Sequence, residues 1–218
     1  MAIDIEMARK WAKDKYPFLI GNDDAIVALY KKQVLGEDIV PKVKASGFYR
    51  ESNRLEAGQN AIMLASIVGK ENFITTMICS VCHKKVCEHN APKISLYSNF
   101  YMMVDRAGQF TAKFFTTDAK EYEKLDNSSI VLLYGFLDVK DKFGEPKFNI
   151  RSFEPVTPEQ SIAFINAVDF VNLKGIGGRV KASEWNNYLN SYSEDTRKFL
   201  LEHLMLKVDG EDIYTVVA

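Results

Sequence analysis

The hydrophobic and polar positions of this chain change period twice, and the changes divide it into three segments. Near the N-terminus apolar residues recur at helical spacing, with Met7 and Trp11 on one side of the stretch Ile5 to Lys15. A second helix is predicted after the N-cap cluster Asn22-Asp23-Asp24, from Ala25 to about Leu35, with Gly36 as its stop. From Asn60 the pattern turns to strands. The run Ala61 to Val68 is rich in β-formers and ends at Gly69, and Phe100 to Val104 leads into a turn at Asp105-Arg106-Ala107-Gly108. Phe110 to Thr116 and Lys147 to Phe153 alternate, while Ile130 to Val139 is one long apolar strand. Asp118 to Leu125 reads as a short helix between the third and fourth strands, and the charged stretch Lys140 to Pro146 as the turn before the last.

The third segment is helical again. Thr157-Pro158-Glu159-Gln160 offers an N-cap followed by proline at the first helical position, and Ile162, Ile165, Val168 and Val171 hold the spacing until Gly175-Ile176-Gly177-Gly178. A strand Arg179 to Lys181, a helix Ser183 to Leu189, a helix from about Glu194 to Met205 and a hairpin from Leu206 turning at Asp209-Gly210 complete it. Five strands with a helix between the third and fourth is the order of an oligonucleotide-binding (OB) barrel. Helix, strand, two helices and a terminal hairpin is the order of a winged helix. The expected fold class is therefore α+β and multi-domain. Its parts are an N-terminal helical segment (1–58), a five-stranded OB-fold β-barrel (59–156) with an insert at 78–92, and a C-terminal winged helix (157–218), with Pro155 to Pro158 as linker.

Composition narrows the function classes. The chain has 218 residues, 47% hydrophobic and 26% charged, which is ordinary for a soluble globular protein. Its longest apolar run, Ile130 to Leu137, is too short to span a bilayer, and no signal pattern opens the chain. A soluble, intracellular protein without membrane contact is expected. The formal net charge is −1, so any nucleic-acid contact must come from a local groove and not from bulk charge. Residues 1–60 carry 10 basic against 9 acidic residues, which favours a helical cap or interaction module, with Arg50 and Arg54 beside Tyr49 as the exception.

All three cysteines fall within the nine residues from Cys79 to Cys87, and two of the three histidines, His83 and His89, lie beside them. Structural zinc needs four soft or borderline ligands in a tetrahedron, and Cys79-x-x-Cys82 delivers two thiolates to one face of the ion. Cys87 and His89 then close the shell, with His83 or solvent as the alternative fourth ligand. A disulfide would leave one thiol unpaired. Four protein ligands leave no open position for water, so the expected Zn2+ is structural. Free thiols kept for a metal suit a reducing compartment, the cytoplasm (with its nucleoid) or the nucleus.

The middle segment resembles the single-stranded DNA-binding domains of replication protein A. The resemblance covers about residues 60–156. It rests on Val104-Asp105-Arg106-Ala107-Gly108 before the third strand, Phe115 at that strand's end, the Ala119 to Leu125 helix and Phe143-Gly-Glu-Pro-Lys-Phe-Asn-Ile-Arg151. In that family's zinc-bearing OB domain the ribbon is also inserted between the first two strands. A winged helix after an OB domain occurs in another subunit of the same complex, where it recruits partners. This chain departs from the family by joining features of separate subunits and by its short metal loop.

Single-strand binding without strong sequence preference needs aromatic faces for stacking and cations along the phosphate path. If Phe110, Ala112 and Phe114 point into the barrel, alternation puts Thr111, Lys113 and Phe115 on the open face. The resemblance implies a second aromatic near the last turn, Phe148 or, at its tip, Phe143, with Lys142, Lys147 and Arg151 supplying charge. In the third segment 6 basic face 9 acidic residues, which favours protein contact over duplex binding, although Arg197 and Lys198 keep the duplex reading open. The expected function is a single-stranded DNA-binding protein of replication and repair that meets partner proteins through its winged helix. The alternatives are an RNA-binding OB protein and a duplex-binding transcription factor. No phosphate-cradling glycine loop or acid–base dyad suggests an enzyme.

Overall fold

The computed structural model describes residues 3–37, 58, 60–72, 75–106, 108–138, 147–174, 179–204 and 206–215. Helix α1 (Ile5–Lys15) starts where the Asp4 carboxylate accepts the Glu6 and Met7 amides, and α2 (Asp23–Leu35) where Asn22 accepts that of Ala25. Gly36 ends α2 in the left-handed region, φ 68°, a conformation glycine adopts without Cβ strain.

Seven elements then build a closed barrel and its appendage. They are β1 (Asn60–Asn72), β2 (Thr76–Cys79), β3 (Lys93–Val104), β4 (Gln109–Thr116), α3 (Ala119–Asp126), β5 (Val131–Asp138) and β6 (Lys147–Pro155). The hydrogen-bonded order is β1-β5-β6-β4-β3, and β1 pairs back to β3 to close the ring. Only β4 and β6 run parallel; the other pairs in the ring are antiparallel. The result is a closed five-strand, OB-like barrel. Strand β2 lies outside the ring, on the first half of β3.

Closure depends on β1, which pairs with β5 through Asn60–Ala65 and with β3 from Ser66 onward. The sequence reading ends this strand at Gly69. Instead the strand continues to Asn72, and Gly69 sits at a register break where β1 engages its second partner. Lys32 of α2 donates to the Ile67 carbonyl beside that break at 3.0 Å.

The third segment comprises α4 (Pro158–Lys174), β7 (Arg179–Lys181), α5 (Ala182–Leu189), α6 (Glu194–His203), β8 (Leu206–Asp209) and β9 (Asp212–Thr215), its sheet ordered β7-β9-β8. Thr157 and Gln160 cap α4 reciprocally, each side chain accepting the other's backbone N–H at 2.9–3.1 Å. Gly175 to Gly178, the expected end of α4, lies outside the described residues.

Two cores hold these parts. Inside the barrel, Tyr101, Phe110, Phe114, Leu133 and Phe148 pack with Leu125 of α3. The second core joins the opposite face of β1 and β5, through Ile62, Leu64, Val68 and Leu132, to Leu19, Leu29, Ala167, Trp185 and Leu200. This explains the unbroken apolar runs in β1 and at the start of β5, where both faces are buried. Polar contacts cross the same junctions: Arg106–Asp169 at 2.7 Å and Tyr134 Oη to His203 Nδ1 at 2.5 Å. The Val156 N–H donates to Ile130 O at 3.0 Å, so the expected linker is bonded to the barrel. Among the described residues no helix is long and apolar enough to cross a membrane.

Candidate nucleic-acid interface and metal cluster

Covering β1 and β5 with helices leaves the outer face of β4 and β6 out of both cores. Inward Phe110, Ala112 and Phe114 are fully buried, so alternation turns Lys113 and Phe115 outward as expected, and Phe115 is 50% exposed. Thr111 differs: it is buried, opposite Met102 of β3, and offers a ligand little surface. Phe148 is a correction. Its ring has no exposed area and meets Phe110 edge-on at 6.4 Å inside the barrel, because in β6 it shares the inward parity of Ile150. Phe143 and Lys142 lie outside the described residues.

The aromatics that do flank this face escape the sequence reading. Strand register joins Phe100 of β3 to Lys113, Lys113 to Asn149 of β6, and Asn149 to Phe136 of β5. These four residues form one transverse row across four strands, with half-buried rings at both ends. Neighbouring strands lie about 4.8 Å apart, so the two rings are separated by roughly 14 Å. Each ring carries a cation: Lys147 Nζ lies 5.2 Å from the Phe100 centroid, and the Arg151 guanidinium carbon 4.8 Å from that of Phe136. Arg151 reaches this place through a β-bulge, because Tyr134 pairs with Ser152 and Gly135 with Ile150, which leaves Arg151 as the extra residue. It also donates to Asn60 Oδ1 at 3.0 Å.

The three cations differ in environment. Arg151 is exposed, while the Lys147 side chain lies under its neighbours with 7% of the residue accessible. Burial pushes the Lys147 pKa down and nearby Lys113 adds to the effect, against the pull of Asp138 and Glu71. Lys113 forms an ion pair with Asp138 at 2.8 Å. Phe136 had a sequence signal that went unused: inward Leu133 and Leu137 in β5 turn it outward by alternation. The Phe100 row had none, since register across strands is not written in local sequence.

The cysteine cluster sits between β2 and β3. Cys79 ends β2 opposite Lys93, and Ser80 N–H to Pro92 O at 3.0 Å clasps the base of the loop. The ligand atoms of Cys79, Cys82, Cys87 and His89 all lie within 4.8 Å of one another, and Cys79 Sγ is 3.9 Å from His89 Nδ1. A tetrahedral ion with bonds of about 2.3 Å to sulfur and 2.0 Å to nitrogen separates its ligands by roughly 3.5–3.8 Å, so small rotations of these side chains suffice to hold a metal. Backbone N–H groups of Cys82 and Val81 point at the Cys79 sulfur and hold its thiol down to about 6, favouring the thiolate a metal needs. His83 takes a left-handed conformation, φ 56°, and its N–H bonds the Cys79 carbonyl at 2.9 Å; it is not part of the cluster. The four residues named from spacing are thus the four brought together.

No protein-family description and no curated protein sequence matches the chain. The functional argument therefore rests on the chemistry of these two sites.

Proposed function

We propose that this protein binds single-stranded DNA through the outer face of its barrel and serves in replication or repair, close to its cell's genome. The observation that supports the reading is the row Phe100–Lys113–Asn149–Phe136 with Lys147, Arg151 and exposed Phe115 around it. Rings spaced for stacking and cations between them are the two requirements of sequence-tolerant single-strand binding, and stacking supplies about 1–3 kcal/mol per base. RNA is the variant of this reading, because stacking does not sense the 2′-OH. In the proposal the cluster Cys79, Cys82, Cys87 and His89 holds a structural Zn2+ that keeps the β2–β3 loop ordered beside the face, and no reaction is assigned to the chain.

The third segment is proposed to be a winged helix that docks replication or repair proteins. Its element order and β7-β9-β8 sheet suit that fold. Two of its cations are held by its own carboxylates, Arg179 by Asp209 at 3.3 Å and Lys181 by Asp212 at 2.9 Å, and its excess of acidic over basic residues leaves no net positive charge for duplex phosphates. Titrating a fluorescent dT oligonucleotide and an equal-length duplex across a salt series tests the whole reading. Tighter binding to dT, weakening as salt rises, is expected. A preference for duplex, or no binding at low salt, overturns it.

A further inference from the structure

The centre of the candidate face holds an arrangement that plain phosphate-binding lysines do not require. Asp138, the last residue of β5, is the register partner of Lys147 on β6 and pairs with Lys113, which reaches over from β4, at 2.8 Å. Lys113 thus holds the carboxylate directly, while Lys147, its register neighbour, feels the same charge with its ammonium against the Phe100 ring. Neither lysine is an ordinary surface residue: the Lys113 side chain is 18% exposed and Lys147 is 7% exposed, while the Asp138 side chain is 27% exposed. Glu71, opposite Phe100 on β1, is the other acid acting on Lys147, and it is exposed.

We propose that Lys113, Asp138 and Lys147 form an anion-exchange site, in which a phosphate oxygen pair takes the place of the Asp138 carboxylate on Lys113, with Lys147 adding its charge from the neighbouring strand. The proposal rests on the nucleic-acid reading only for the source of the phosphate; a polyphosphate offers the same chemistry. A phosphodiester carries one negative charge, as Asp138 does, so the exchange leaves the charge around the lysines unchanged. No bond is made or broken. Asp138 stands at the strand end and is the most exposed of the three, so it is the group that can turn out to water. While it stays in place its single charge offsets that of Lys113, and its pull also opposes the effect of burial on Lys147. It therefore keeps the face from acting as a general trap for anions. Affinity is lost and selectivity gained, because a ligand that also stacks on Phe100 or Phe136 displaces the carboxylate more readily than a free phosphate does.

The test is Asp138→Asn in the full chain, with a fluorescent dT oligonucleotide and inorganic tripolyphosphate as probes. Deleting one half-exposed competing ion pair is expected to tighten both about fivefold. The log–log salt slope for dT should steepen by about 0.7, the value of one more phosphate contact on a single strand. Lys113→Met added to Asp138→Asn should abolish the gain. Unchanged or weaker binding of both probes by a folded Asp138→Asn protein overturns the exchange. Should that variant fail to fold, the wild type decides: tripolyphosphate must shift the Lys113 and Lys147 side-chain nitrogen resonances together, and a titration that moves neither refutes the site. Tripolyphosphate binding that depends on Asp138, without any dT binding, leaves the exchange site standing and removes the nucleic-acid reading. Binding of dT that ignores Asp138 does the reverse.

Discussion

Replacing Phe100 and Phe136 by alanine, singly and together, probes the two ends of the transverse row. Each ring is half-buried and lies on the outer face, away from the barrel core that contains Phe110, Phe114 and Phe148. Truncation removes one cation–π contact per site, Lys147 on Phe100 or Arg151 on Phe136, worth about 0.5–1 kcal/mol, together with part of the ring's packing. For a chain of this length a loss of about 1 kcal/mol lowers Tm by about 2–4 °C, so each variant should fold. The loss in binding should be larger. One stacked base is worth about 1–3 kcal/mol, which converts to a weakening of about 5- to 150-fold per ring. The rings are roughly 14 Å apart, so the two losses should add to within about 0.5 kcal/mol in a double-mutant cycle. Fluorescence anisotropy with a dT oligonucleotide at fixed salt reads the affinities, and thermal melting reads the fold. Phe148→Ala is the contrast: it empties a buried site and should cost about 3–5 kcal/mol of stability, with any binding defect following from unfolding. A Phe100→Ala, Phe136→Ala double variant that melts within a few degrees of wild type and binds dT unchanged would refute the stacking argument.

Three further outcomes are expected. A Cβ added at Gly135 would sit 1.9 Å from the Asn149 carbonyl oxygen and 2.9 Å from Phe148 Cε1; because the nearest atom is backbone, Gly135→Ala should cost more than about 3 kcal/mol and lower Tm by about 6–12 °C or prevent folding, and a variant as stable as wild type would contradict the tight β5–β6 approach. His89→Ala should weaken Zn2+ binding by more than about tenfold in a chelator competition while His83→Ala leaves it unaltered; the opposite pattern would move the fourth ligand to His83. Burial, then Glu154 and Glu202, push the Tyr134 hydroxyl up from 10.0 to about 12. The folded state therefore keeps a proton that the unfolded chain releases, and stability should fall as pH rises from about 10 to about 12; Tyr134→Phe should flatten that part of the pH–Tm curve, and a curve of the same slope would exclude the residue as its cause.

The expectations that held were local ones. Alternation in β4 correctly turned Phe115 and Lys113 outward, and cysteine spacing selected the four residues of a cluster able to hold a metal, because residues ten positions apart can be assembled by one loop. The capping signals at Asn22 and Thr157 also mark real helix starts. The two misplacements have different causes. Gly69 was read as a strand end from its residue type, whereas it lies at a bulge required by a strand that serves two partners. Phe148 was taken as a surface aromatic through resemblance to a motif, although its own neighbours, Asn149 and Ile150, set its parity inward.

By itself, then, the sequence determined the order of the helices and the barrel strands, though not β2, the period of each segment and the donor set of the cluster, all consequences of interactions spanning a few residues. Tertiary structure alone decided which strands are neighbours. That choice put Phe100, Lys113, Asn149 and Phe136 in one row, drew Arg151 to Phe136 through a bulge and set Asp138 against Lys113 and in register with Lys147. It also decided which side of the barrel the helices cover, because β1 and the start of β5 present apolar residues on both faces and must bury the outer one. The face left out of the helical core is consequently the one on which rings and cations remain available.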